Sequence, residues 1–290
     1  MGTPEFGRGS DHICTRQKLT YLVIRISYTF YQSYQINKIG GNLQAHNEIT
    51  ITNESQAFSA LEKAVENQFG DAPVSIKFCG WPILEIELEG DGYAGTITAE
   101  MAAGLVELQS AINRSYSRMV HQEANSRKLT SEEKHEILFK AKVEKGCSLL
   151  KIDLGQFAEK LATQLVDKIT PELLVISVIG IAVSAGSVVA IKAFLKHKSE
   201  DKKITVEAEK AIALSQEETR RLKVFAKAMS GNPALSHIND DFDVARTQIV
   251  KGTADADTIS LNDVSLDRET ARVLSISKRI ASTEVQLNGN

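Results

Sequence analysis

The chain has 290 residues, 42% hydrophobic and 24% charged, which is room for two modest domains with a real core and excludes both wholesale disorder and a polytopic membrane protein. Formal net charge is −3; residues 1–46 hold five basic and two acidic side chains, so the remainder sits near −6, a balance that disfavours direct nucleic-acid binding. The three cysteines, Cys14, Cys79 and Cys147, lie far apart without a C-x-x-C pair. Neither a zinc ribbon nor a disulfide framework is expected, and buried strand thiols at Cys79 and Cys147 in a reducing compartment are the plain reading.

Residues 1–10, MGTPEFGRGS, resemble a translated cloning linker, and Tyr21, Tyr28, Tyr31 and Tyr34 crowd into the stretch that follows. Residues 1–46 are therefore read as a vector- or leader-derived tail, with the native protein beginning near His46. A signal peptide is the competing reading of 19–30, but Arg25 interrupts the apolar run and no small-residue cleavage site follows.

Asn53 or Ser55 is placed to cap a helix to about Phe69, in which Phe58, Leu61, Val65 and Phe69 recur at helical spacing. Val74–Phe78 and Ile83–Leu88 read as strands. In the second, Leu84, Ile86 and Leu88 face one side and Glu85, Glu87 and Glu89 the other. The Glu-Gly-Asp-Gly turn at 89–92 predicts a hairpin into 95–98. Thr98 then caps a helix to about His121, carrying Met101, Leu105, Leu108, Ile112, Tyr116 and Met119 on one face. Thr130 and Glu133 match a capping box for a helix to about Glu144, and 147–154 alternates like a strand.

An amphipathic helix at 156–169 leads to Thr170-Pro171, a helix start. Between Glu172 and Lys192 no residue is charged, and as one helix that run reaches roughly the 30 Å of a hydrocarbon core. Within it Gly180, Ala182, Ser184, Gly186 and Ala190 form lines of small residues that allow close helix approach, in a membrane or in the buried centre of a soluble assembly. Lys192, Lys196, Lys198, Lys202 and Lys203 follow as a basic flank suited to a cytoplasmic leaflet. Further on, Ser215 and Glu218 form a second capping box for a helix to about Met229. Asp240–Val250 reads as another helix, 254–267 as a polar connection, Asp267 as the cap of a last helix to about Ala281, and Glu284–Leu287 as a lone strand. Either the chain is truncated, or that strand pairs with the first domain.

The fold class is thus α+β: a small α+β domain at 47–154, a region at 155–203 with one long apolar helix and a basic flank, and a mainly helical region at 204–290. No catalytic, metal-ligand or cofactor motif stands out: the histidines have no ligand spacing, and GDGYAG at 90–95 lacks the lysine and Ser/Thr of a phosphate loop. Glu85, Glu87, Glu89 and Asp91 form an acidic ridge, read as a solvated sheet face or as a surface for a partner. The run INRSYSRMVHQEANSRKLTSEEKHEILFKAKVEKGCSLLKID, followed by an apolar helix and KAFLKHK, resembles small bacterial and prophage-encoded proteins over about 98–203. Tin-type phage-exclusion proteins belong to that setting, and the resemblance implies a non-enzymatic protein that acts on an invading phage's replication.

Two readings follow. One is an oligomeric, membrane-associated interaction protein of the bacterial cytoplasm or inner membrane that self-associates through Gly180, Ala182, Ser184, Gly186 and Ala190. The other is a soluble module that sequesters a phage or host protein, such as a single-stranded DNA-binding protein, through its acidic face.

Overall fold

The computed structural model describes residues 47–276 apart from 71, 94, 144–147 and 201. It is α+β, and all its α-helices but the one at Gly155–Leu165 start where a short polar side chain satisfies a free N–H group. The first strand, β1 (Asn47–Ile51), leads into α1 (Glu54–Val65), whose Gln56 N–H donates to Asn53 Oδ1. Next come β2 (Val74–Phe78), parallel to β1, and β3 (Ile83–Glu89). The long α2 (Ala99–Val120) is capped by Thr98, and α3 (Ser131–Glu136) carries the Thr130/Glu133 capping box. After them run β4 (Ala141–Val143), β5 (Ser148–Asp153) and α4 (Gly155–Leu165).

The uncharged stretch is not one long helix. It forms α5 (Pro171–Gly186) and α6 (Val188–Ser199), bent by 61° at Ser187, whose backbone is extended. A short α7 (Val206–Ile212), α8 (Gln216–Gly231) and α9 (Pro233–Gly252) follow. Then come β6 (Thr258–Leu261), β7 (Val264–Asp267) and α10 (Arg268–Ser275).

Five strands form one sheet in the order β4-β5-β3-β6-β7, antiparallel throughout, with three strands from residues 47–154 and two from residues 204–290. Leu84, Ile86 and Leu88 face the core together with Leu150, Ile152, Ile259, Leu261, Val264 and Leu266. On that side α9 lies along α2, and α5 packs on α1, α4 and α9, so the apolar helix is a central core element.

Several expectations are corrected. The turn after Glu89 does not lead to a paired strand, because β3 is flanked by β5 and β6. The helix opened by Thr130 stops at Glu136, and residues 141–143 pair with β5 instead. The supposed polar connection at 254–267 is a β-hairpin. Its two-residue turn, Asn262 and Asp263, has φ of 45° and 67°, the left-handed pair that suits a right-twisted hairpin. Cys79 stands in a disulfide rather than as a free thiol, with its partner outside the described residues. The lone strand expected at Glu284–Leu287 also lies outside them, as do the residues that follow Ile276 in the last expected helix.

Candidate functional site: a built helix break and an open acidic sheet face

A helix break leaves orphan carbonyls and N–H groups, and inside a core each must find a partner. At Ser187 those partners come from three distant elements. The Val188 N–H donates to Glu54 Oε2 at 2.9 Å, and Val189 N–H also reaches that carboxylate. Arg246 of α9 donates to the Ser184 carbonyl, and Asn262 Nδ2 of the hairpin turn donates to the Gly186 carbonyl at 2.8 Å. Ser187 Oγ accepts the Ala190 N–H and caps α6.

Arg246 is fully buried, paired with Asp243 and seated over the Phe194 ring at 5.9 Å. Burial pulls its guanidinium below the ordinary arginine value and pushes the Asp243 carboxyl above the ordinary aspartate value, against the attraction between the two. Burial likewise pushes the Glu54 carboxyl up, opposed by its two backbone donors and by Arg221, and aided by Glu218.

A group whose folded pKa is raised contributes least to stability at high pH. As pH rises from the ordinary carboxylate value of 4.5 through the higher folded value of Glu54, the folded state must take up a buried charge, so that contribution is lost. Glu54→Gln removes the titration and keeps an acceptor. Its stability relative to the parent, read from urea unfolding, is expected to improve from pH 4.5 to 7. A fall over that interval would contradict the burial assignment. Glu54→Ala leaves two N–H groups unmet and should cost about 1–3 kcal/mol.

The break accounts for the small residues singled out from sequence. A Cβ on Gly180 would lie 2.5 Å from a Leu235 methyl, and one on Gly186 3.1 Å from the Ile83 carbonyl and from Pro82. Ser184 Oγ donates back to the Gly180 carbonyl, and Ala182 and Ala190 are buried. These residues allow close packing within one chain and are not on a surface.

The basic flank is also partly engaged. Lys192 Nζ holds Glu218 at 2.8 Å and the Ala213 carbonyl, and Lys202 Nζ holds the Val273 and Ile276 carbonyls at the end of α10. Lys198 lies 6.0 Å from the Phe194 ring, while Lys196 and Lys203 are exposed. No single helix among the described residues is long and apolar enough to cross a membrane; α5 and α6 meet that length and composition only as a bent pair.

On the other side of the sheet, Glu87 and Glu89 stand exposed on the central strand, with Asp91 exposed in the turn beyond. Glu85 is half-buried and paired with Lys151 at 3.1 Å. Across the strands Glu87 lies opposite Leu149 and Ser260, and Glu89 opposite Thr258, so the carboxylates rise beside small hydroxyl side chains. Among the described residues no group of three or more His, Cys, Asp or Glu side chains is arranged to hold a metal ion.

Sequence reasoning missed Asn262, although Ile259, Leu261, Val264 and Leu266 alternate around Asn-Asp, the signature of a tight hairpin. It also missed the three-residue β4, which is too short to show a period. No family model, no curated protein and no solved structure matches the chain.

Proposed function

We propose that this chain is a non-enzymatic binding module that holds a basic protein segment against the open face of its five-stranded sheet. The observation that carries this reading is the exposed Glu87–Glu89 row on the central strand, flanked by Ser260 and Thr258. Alternate residues of a strand are about 7 Å apart, so the row offers a line of charges to lysines or arginines of an extended or nucleic-acid-binding surface. A partner that itself binds single-stranded DNA fits that chemistry, and the resemblance to phage-exclusion proteins would make it a phage or host replication protein.

The membrane reading keeps one supporting observation, the composition of the bent α5–α6 pair. It requires that pair to leave the core and Glu54, Arg246 and Asn262 to release the break. Resistance of the expressed protein to carbonate extraction from membranes would favour it over the binding module.

The test is a fluorescent oligo-arginine peptide titrated against the full chain at low and at moderate salt. Glu87→Lys with Glu89→Lys is expected to weaken binding by about thirtyfold at low salt, since two charge reversals each change a screened surface interaction by roughly 1 kcal/mol. The same reversals at exposed Glu207 and Glu209 of α7 serve as the control and should change it little. Equal losses at both places would sink the proposal.

A further inference from the structure

One end of the acidic row is already occupied by a basic segment of this chain. The Asp257 N–H donates to the Glu89 carbonyl at 2.7 Å, so the row Glu87, Glu89, Asp91 runs on into the loop that leads to β6. The Asp257 carboxylate lies against the turn after β3, where a Cβ on Gly90 would stand 3.1 Å from its Oδ2. Asp255 lies two residues before it, and all five of these acidic residues are exposed.

Two of them carry a cation from α10. Arg268 donates to Asp257 Oδ1 at 2.5 Å, and Arg272, one turn on, donates to Asp255 Oδ1 at 2.8 Å. α10 is thus a basic helix seated on aspartates, the chemistry that the proposed function assigns to an outside partner. What holds it there is uneven. Its buried face is small, consisting of Thr270, Ala271 and Leu274. Asp267 caps its start, and Lys202 Nζ holds the Val273 and Ile276 carbonyls at its end. Both arginine side chains are exposed, 45% for Arg268 and 58% for Arg272, so water and salt weaken their pairs and another cation can replace them.

We propose that Arg268 and Arg272 form an autoinhibitory contact, which withholds Asp255 and Asp257 until a partner with a run of basic residues displaces them. The proposal rests on the proposed function, because it concerns the regulation of that same acidic surface. Being tethered, the two arginines compete at a high effective concentration and hold off isolated cations. A partner already engaged by Glu87 and Glu89 is tethered in its turn, and takes Asp257 and then Asp255. The contact therefore selects basic segments long enough to cover the row, while a short one gains Glu87 and Glu89 alone.

The experiment titrates the fluorescent oligo-arginine peptide at low salt against the full parent chain and against Arg268→Gln with Arg272→Gln. Freeing two exposed carboxylates is expected to tighten binding about tenfold. Lys223→Gln with Lys227→Gln removes as much positive charge from exposed positions of α8 and should change binding by about twofold or less. In a chain that also carries Asp255→Asn with Asp257→Asn, the glutamine substitutions at Arg268 and Arg272 should bring no gain. Hydrogen exchange on the parent chain needs no substitution: saturating peptide should speed exchange of the α10 amides 272–275 by roughly threefold or more. Equal affinity of parent and Arg268/Arg272 variant, an equal gain from the Lys223/Lys227 variant, or α10 amides indifferent to bound peptide would overturn the autoinhibitory contact. Binding at Glu87 and Glu89 would stand in each of those cases. No peptide binding by either chain would overturn the proposed function, and the contact's regulatory role with it.

Discussion

Arg246→Ala is expected to be the most damaging single substitution in the described fold, with a loss of about 3–5 kcal/mol on removal of one partner of a buried ion pair. The guanidinium satisfies Asp243 and the Ser184 carbonyl at once and fills the space over Phe194. Truncation leaves a buried carbonyl without a donor, a half-buried carboxylate without its cation, and a cavity. Net stability of a domain is about 5–15 kcal/mol, so thermal unfolding should drop by roughly 10 °C, readable by circular dichroism. Arg246→Met with Asp243→Asn restores volume and removes the orphan charge, and should recover part of the loss. The unmet Ser184 carbonyl should keep it about 1–3 kcal/mol below the parent. If the double variant were no better than Arg246→Ala, the charge would not be what matters there.

Asn262 is the second expected weak point because one amide joins three elements. Its Nδ2 donates to the Ile83 and Gly186 carbonyls at 3.0 and 2.8 Å, and its Oδ1 accepts the Glu85 N–H at 2.6 Å. Its own backbone has φ of 45°, a conformation that asparagine tolerates and alanine resists. Asn262→Gly keeps the turn and loses three hydrogen bonds, for about 2–3 kcal/mol. Asn262→Ala adds a backbone penalty of about 1 kcal/mol. Asn262→Asp keeps the shape but turns an acceptor toward two carbonyls, and should be the worst of the three. Urea unfolding midpoints would rank them; aspartate ranking with or above glycine would mean that the donor face of Asn262 holds nothing.

Both residues belong to the same device, the break between α5 and α6, and neither was visible in the sequence as part of it. The run from Leu173 to Ile191 contains no proline, and its composition reads as one straight apolar helix. The small residues Gly180 and Gly186 were legible as a close-packing stripe, yet the sequence left open what packs against them. In the structure Leu235 and the start of β3 do, within the same chain. The acidic ridge was legible on the alternation of β3, because side-chain direction in a strand needs only the period of two. Its neighbours were not: Lys151 and Ser260 reach it through pairings between residues far apart in the chain.

What the sequence by itself determined are the helix starts at Thr98, Thr130, Thr170, Ser215 and Asp267, each capped as its local pattern predicts, while the first was narrowed to Asn53 or Ser55, of which Asn53 is the cap. A cap is a bond between residues three apart, so short-range sequence contains all of it. Only the tertiary structure decided where the apolar helix breaks, which strands flank β3 and in what order the described strands pair. The partners that stabilise the break at Ser187 arrive from 62, 76 and 134 residues away, and no periodicity in a single chain segment records a contact across that distance.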